Sequence, residues 1–424
     1  MNNNKTQAFV DWFHSVAPYI ATHRGHTFVL SFGGELVQRK NFTNLIQDIA
    51  LLNTLGIRLV LVHGIRPQIE QCLQARGKQS QYINGTRITD NIALNCVKAA
   101  CGEVRTEIEG LLSKAAPSTD VRIRTASGNF IIARPIGVRN GVDYCHTGEI
   151  RKIDTVDIIR RLDEGSIVLI APIGYSPTGE TFNLLTESLA TEVAIALQAH
   201  KCIYLTENGG IFDNNGEIIR QLTWAEARGR GNTHLKYAIH ACKNGVKRVH
   251  IISQQTNGAL LLELFTRDGI GTLISNDSYE NIRQASIDDI GGLLELIKPL
   301  EESGILVRRS REKLEIEINH FTVQERDGMI IACAALYPYE NMAELACLAV
   351  HSDYRGADRG ATLLLFLERE ARKKGINQIF VLTTQTAHWF QERGFITTDL
   401  DSLPLKRRTL YNYQRKSKLF IKSL

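Results

Sequence analysis

Short, uniformly apolar runs recur along the first two-thirds of the chain and limit its fold more than any other feature. Residues 27–31 read TFVLS and 58–63 read RLVLVH, and the texture returns at 167–170, 202–206 and 248–253. A strand with one wet face alternates apolar and polar residues; these runs do not. Between them lie stretches of helical period, as at Leu45, Ile46, Ile49 and Leu52, and again over 187–199 and 234–244. Strands buried on both faces and separated by helices predict a mainly parallel sheet in an α/β layered sandwich.

Length sets the scale of that prediction. At 424 residues the chain is long enough for two to three domains, each with its own core. Its 43% hydrophobic and 22% charged residues exclude a mainly disordered, collagenous or coiled-coil protein. A net charge of +5 is too mild to imply nucleic acid, and no nucleic-acid partner is expected. The basic excess is uneven, because the segment 405–424 holds seven Lys or Arg and no acid, which suits small anions. The eight cysteines are scattered with no CxxC pair and no metal-like His spacing, so the expectation is reduced thiols, a cytoplasmic protein and no metal. Phe9, Val10, Phe13, Val16 and Ile20 trace one face of an amphipathic helix, interrupted by Asp11 and His14, unlike a signal peptide. No apolar window is long enough to span a membrane.

After Leu273 the texture changes. A polar break at 275–278 places a domain boundary near residue 280. Beyond it the pattern predicts a helix over 288–300, a basic helix from about Arg309, and a hairpin of 321–326 and 330–337 turning at Asp327–Gly328. A strand over 344–351, a helix over 360–374, a strand over 379–383, a helix near Trp389 and a basic last strand complete it. The strand ending ACLAVH runs through Tyr354, Arg355, Gly356, Ala357, Asp358, Arg359, Gly360 and Ala361 straight into a helix. Small residues admit a ligand to backbone amides, a helix N-terminus favours negative charge, and two arginines flank the loop: a pyrophosphate cradle.

This segment resembles the GCN5-related N-acetyltransferase family, whose acetyl-CoA loop reads Arg/Gln-x-x-Gly-x-Gly/Ala. Arg355 and Gly360 match its ends, while Asp358 stands at the middle glycine. The likeness, which includes WFQERGF at 389–395, implies that acetyl-CoA is bound by Cys347, Leu348, Ala349 and Val350 and by Arg355, Gly356, Asp358, Arg359, Gly360 and Ala361. The preceding 250 or so residues resemble the amino-acid kinase family. Ser31-Phe32-Gly33-Gly34 sits at its Lys-x-Gly-Gly, His63-Gly64-Ile65-Arg66-Pro67 replaces its HGGGP turn, and Glu187 falls at the aspartate of its Asn-x-Asn-Ala-Asp stretch. Loss of the lysine to Ser31 and of two glycines to Ile65 and Arg66 removes much of the charge clamp on which phosphoryl transfer rests, and Lys236 alone does not restore it.

A degenerate kinase domain joined to an acetyltransferase domain is the layout of the bacterial N-acetylglutamate synthases, which the whole chain resembles. The likeness implies a smaller α+β acetyltransferase domain at 280–424, a kinase-like domain at 25–279 and an oligomer-forming helix at 1–24, with a hexamer as the family's assembly. The implied reaction is acetyl transfer from acetyl-CoA to L-glutamate at the start of arginine biosynthesis, with L-arginine as inhibitor. Glu344 becomes the candidate base, since a free amino acid is mostly ammonium at neutral pH. Thr383 resembles the acid hydroxyl of some synthases, and Tyr411 or Tyr413 the tyrosine of many acetyltransferases. Arg308 or Arg309, with Arg415 and Ser417, would hold glutamate, because guanidinium forks suit carboxylates. The effector motif Glu-x5-Gly is matched by Glu263 and Gly269. Two other readings stay open: acetylation of another amine, such as ornithine or protein lysine, and an arginine sensor with little catalysis.

Overall fold

A computed structural model of the chain describes residues 3–115, 122–266, 268–275, 281–326, 329–355 and 358–424. Side chains of its first helix are described from residue 10 onward, apart from 11, 12 and 15. The expected turn at Asp327–Gly328, the polar break from Asn276 to residue 280, and Arg267, Gly356 and Ala357 lie outside these residues. The chain divides into two compact units, Met1–Ser278 and Tyr279–Leu424. Among the described residues, no helix is long and apolar enough to cross a membrane.

The first unit opens with α1 (Asn3–His23) and is organised by an eight-stranded sheet. Its chain order runs β1 (Thr27–Phe32), α2 (Phe42–Thr54), β2 (Arg58–His63), α3 (Arg66–Ala75), α4 (Asn91–Lys114), β3 (Thr125–Ala126) and β4 (Ile167–Ile170). Then come α5 (Thr186–Ala196), β5 (Lys201–Thr206), β6 (Gln221–Thr223), α6 (Thr233–Lys243), β7 (Arg248–Ser253), α7 (Ala259–Phe265) and β8 (Thr272–Ser275). The spatial order is β6-β8-β7-β5-β1-β2-β4-β3, parallel throughout except where β7 meets β8. Both faces are covered, as the uniform runs require. Phe28, Leu30 and Phe32 of β1 pack with Ile46 and Ile49 of α2 and Val97 of α4. Val29 points the other way, among Leu189 and Val193 of α5 and Leu235 of α6. In α1, Val16 is buried against this core while Val10 and Phe13 remain exposed.

Two features went unread. Strands Ile131–Pro135, Gly148–Ile153, Ile173–Tyr175 and Thr181–Asn183 form a second, mixed sheet. Cys72 of α3 and Cys96 of α4 form a disulfide, so the expectation of reduced thiols throughout is corrected at this pair. The two helices pack side by side and bring these Cα atoms to 5.6 Å, a proximity that a sequence separation of 24 does not announce.

The second unit is a seven-stranded sheet between helices. Its elements are β9 (Asn281–Gln284), α8 (Ile290–Glu302), α9 (Arg311–Glu317), β10 (Phe321–Arg326), β11 (Met329–Tyr339) and β12 (Met342–Val350). They continue as α10 (Arg359–Lys373), β13 (Gln378–Thr383), α11 (Ala387–Gln391), β14 (Ile396–Thr398), α12 (Leu405–Arg408) and β15 (Lys418–Ser423). The order is β9-β10-β11-β12-β13-β15-β14, and only β12 and β13 run parallel. Leu293 and Ile297 of α8 cover one face, and Leu363 and Leu367 of α10 the other.

Two irregularities open this sheet at its centre. β12 pairs with β13 only from Met342↔Gln378 to Leu345↔Val381, although β12 continues to Val350 and β13 to Thr383. The strands therefore splay beyond Leu345. At the same place the β11 register slips, with Ala335 opposite Ala346 but Cys333 opposite Ala349. The extra residue is a bulge, and Cys347 within it takes the left-handed φ of +53°. The bulge reverses the phase of side chains along β12: Ala343 and Leu345 face α10, whereas Cys347 and Ala349 face α8.

Candidate functional site

Glu344 lies on the last rung but one before the splay, opposite Tyr337 on β11 and Phe380 on β13. Its side chain is 10% exposed. The carboxylate accepts two hydrogen bonds from Arg407 of α12, at 2.5 Å from Nε and 2.9 Å from Nη2. Sequence reasoning missed Arg407, because one half-buried guanidinium between the exposed Lys406 and Arg408 carries no local mark.

The other expected residues surround this pair unevenly. Thr383, at the end of β13, has its hydroxyl 2.8 Å from that of Thr386 and accepts from the Thr386 amide. Tyr411 donates to the Ser417 carbonyl at 2.8 Å, and its ring meets Tyr413 edge-on. A phenol so engaged is a positioned side chain of its own loop before it is an acid. Arg309 is half-buried beside Tyr337, which donates to Glu317 at 2.6 Å, whereas Arg308 is exposed. Arg415 donates to the Gly304 and Ile305 carbonyls, so it ties the 304–309 loop to the 405–417 loop within this unit. The Cys333 thiol beside it and the Arg309 guanidinium hold the Cys347 thiol below its ordinary value, against the effect of burial.

Past the splay, the chain enters α10 through Asp358, whose φ of +50° is left-handed and explains why glycine suits this position. Aspartate is among the few side chains that tolerate it. The Asp358 carboxylate makes no cap on α10, is 90% exposed, and lies 3.9 Å from Arg393. Arg393 stacks 4.0 Å over the Trp389 ring. A Cβ on Gly360 would approach that same indole to 3.2 Å, so the helix start and WFQERGF are closely fitted. Arg355 Nε reaches the Val350 carbonyl at 3.4 Å, and Arg359 donates to Tyr354.

In the first unit a cleft of about 410 Å³ opens at the carboxyl ends of β1, β2 and β5, where open α/β sheets hold ligands. Ser31, Gly33, Gly34 and Gly64 line it. A Cβ on Gly64 would fall 2.9 Å from the Gly34 amide nitrogen, so these glycines answer to backbone packing. Its two arginines, Arg66 and Arg87, stack on Tyr82, with guanidiniums 4.9 and 4.8 Å from the ring centre. Arg87 is also paired with Glu70 at 2.8 Å. Lys236 sits over Tyr237 and does not line the cleft.

Glu263 of α7 is only 9% exposed. It accepts from His250 Nδ1 at 2.7 Å and from the amides of Ile270 and Gly271 at 2.7 and 2.8 Å. Burial alone would raise its pKa, but these hydrogen bonds outweigh it and hold the carboxylate at about 2. Lys201 lies 3.4 Å beyond His250, and burial pulls His250 down to about 4 and Lys201 to about 7. Gly269 has φ +59°, and a Cβ there would meet a Glu263 oxygen at 2.6 Å. The Glu-x5-Gly spacing thus has a local cause: the loop folds over the carboxylate, and only glycine leaves room. Three donors already hold the carboxylate that the effector motif singles out. His23, the last residue of α1, bonds the Leu264 carbonyl next to it.

Known proteins match along the same lines. The amino acid kinase family model covers residues 26–253, and the acetyltransferase (GNAT) domain model covers 317–397. The amino-acid acetyltransferase of Pseudomonas fluorescens Pf-5 is 52% identical over 98% of this chain and 99% of its own. That of Enterobacter sp. strain 638 is 49% identical over the full length of both. Among solved structures, N-acetylglutamate synthase from Neisseria gonorrhoeae, complexed with coenzyme A and L-arginine, is 39% identical with a TM-score of 0.91 over 98% of this chain and 99% of that one. The same enzyme with coenzyme A and N-acetyl-glutamate is 40% identical with a TM-score of 0.64, again over 98% and 99%.

Proposed function

The chain belongs to the amino-acid acetyltransferase family, acyltransferases with acetyl-CoA as co-substrate, and from that premise we propose that its acceptor is L-glutamate. The product is then N-acetyl-L-glutamate, the first intermediate of arginine biosynthesis, and arginine inhibits its formation. The observation that carries this reading is a buried carboxylate, Glu344, at the vertex of two splayed parallel strands with Arg407 against it. The splay admits the pantetheine arm, and the bulge at Cys347 frees backbone of β12 for the acetyl group. Glu344 removes one proton from the ammonium of glutamate and passes it to solvent. The amine then attacks the thioester carbonyl and the C–S bond breaks. The second nitrogen proton goes to the departing sulfur, with the Thr383 or Tyr411 hydroxyl as relay. Arg308 or Arg309, with Arg415 and Ser417, would hold the distal carboxylate.

The pyrophosphate of CoA is assigned to Arg355, Asp358, Arg359, Gly360 and Ala361 at the start of α10, with Gly356 outside the described residues. Replacing Asp358 by glycine tests this. The substitution removes a left-handed aspartate and a negative charge beside phosphates, and the exposed Asp358–Arg393 pair that it breaks contributes little. Relief of about 1–2 kcal/mol of left-handed strain is offset by about 0.5–1 kcal/mol of glycine's unfolded-chain entropy, so stability should rise by no more than about 1 kcal/mol, and the KM for acetyl-CoA should fall severalfold. A raised KM would move the pyrophosphate elsewhere. Arginine is assigned to Glu263 and Gly269, and self-association to the exposed Val10 and Phe13 of α1.

The deciding assay follows thiol release from acetyl-CoA with glutamate, ornithine, lysine and a lysine peptide, each with and without arginine. Glutamate-dependent release suppressed by arginine is expected. Release with another amine keeps the enzyme and overturns the pathway. Phosphoryl transfer to N-acetylglutamate should be absent, because the cleft's arginines are stacked on Tyr82 and Arg87 is also paired with Glu70.

A further inference from the structure

The base candidate is not open. Arg407 grips both Glu344 oxygens, and the pair is nearly enclosed, with side chains 18% and 10% exposed. Each oxygen is already committed to a guanidinium N–H, so an incoming ammonium competes with Arg407 for it. The turn that carries Arg407 is lightly held in contrast. Its neighbours Leu405 and Leu410 are 80% and 71% exposed, and Arg407 Nη1 donates to the Leu410 carbonyl of the same turn at 3.2 Å.

Charge balance limits what can release the pair. Separating a buried carboxylate from its guanidinium is unfavourable unless each finds a new opposite charge. A zwitterion supplies both at once: its ammonium goes to Glu344 and its carboxylate to Arg407. One enclosed ion pair becomes two, and no charge is stranded. A simple amine brings only a cation and would leave Arg407 unpaired. Distance selects which carboxylate. An amine about 3 Å from a Glu344 oxygen carries its α-carboxylate two bonds away, beside Arg407, while the γ-carboxylate lies farther out.

We propose that Arg407 is both the lock on Glu344 and the reader of the acceptor's α-carboxylate. On binding, its fork passes from Glu344 to the substrate, and the released carboxylate takes the proton from the ammonium that replaced it. This rests on the reading of Glu344 as base and glutamate as acceptor, and it adds why the site demands an α-amino acid and rejects a plain amine.

The test compares kcat/KM for glutamate, its α-amide and its γ-amide in the wild-type enzyme, Arg407→Gln and Arg407→Lys. The wild type should lose about 100-fold or more on the α-amide, where a charged acceptor is replaced by an amide. In Arg407→Gln, glutamate turnover should suffer mainly through KM, and the preference for glutamate over its α-amide should shrink to within about threefold, since the fork that reads it is gone. The penalty for the γ-amide should persist. Arg407→Lys, with charge but no fork, should restore part of the preference and serves if the glutamine variant does not fold. An α-amide discrimination unchanged from wild type in either variant would reduce Arg407 to a structural pin, whatever happens to the melting temperature. If wild-type enzyme turns over no glutamate, the functional reading fails and the proposal with it.

Discussion

Glu344→Gln is expected to lower kcat about 100- to 1,000-fold at neutral pH, within the range that removal of a general base produces. The KM for acetyl-CoA should hardly move, because the substitution leaves the start of α10 untouched. The defect should shrink as pH rises. Below the pKa of an α-amino group, near 8 or above, the substrate is mostly ammonium and needs a base. Above it, free amine is present without help, so the variant recovers relative to wild type. The glutamine can still accept one bond from Arg407, but the guanidinium loses its counter-charge in a nearly enclosed site. A loss of roughly 1–3 kcal/mol of stability should accompany the kinetic change. Melting the variant separates the two, and rates are compared per folded molecule. An unchanged turnover with an unchanged pH profile would remove Glu344 as the base.

What could be read from residues alone divides along physical lines. The parallel sheet was legible because burying both faces of a strand leaves a compositional trace, as in FVL of β1 and LVLV of β2. The second sheet of the first unit was not, since Thr181–Asn183 and Ile173–Tyr175 are three residues long and carry no period. The glycine at 269 was visible as a motif position, but its reason, a carboxylate within 2.6 Å of where a Cβ would sit, required the loop to be folded. Asp358 looked like a departure from the phosphate loop. Its left-handed φ accounts for the usual glycine, and its carboxylate is turned toward Arg393. Contacts distant in sequence were silent: Glu344 and Arg407 are 63 positions apart, and Glu263 draws on His250 from a neighbouring strand. Bulges are equally silent, so the phase reversal at Cys347 could not be foreseen from ELACLAVH. Composition records burial; it does not record partners.

Arginine control offers the other large effect, and the buried network changes how it must be tested. Glu263→Ala strips the counter-charge from Lys201 and His250 and leaves the Ile270 and Gly271 amides without their acceptor. Breaking such a network is expected to cost about 3–5 kcal/mol, so lost inhibition in that variant would not distinguish a missing effector contact from a disordered loop. Glu263→Gln is the better probe. Its carbonyl oxygen still accepts from the two amides while the charge that would face a guanidinium is gone. Arginine should then inhibit at concentrations about 30- to 100-fold higher, on the scale of one lost charge-assisted hydrogen bond, with catalysis in its absence retained. The acid limb of stability reports on the same carboxylate. Because Glu263 is held at about 2 against an ordinary 4.5, its contribution is full above 4.5 and is lost as pH falls toward 2. His250, pulled from 6.5 to about 4, gains its proton more readily on unfolding and weakens the fold in the same direction between those values. Wild-type protein should therefore lose stability steadily from about pH 6 downward, and Glu263→Gln should lose the part below 4.5. Retained arginine inhibition in a folded Glu263→Gln would move the effector to another site. An unchanged acid limb would mean that the carboxylate titrates alike in the folded and unfolded chain.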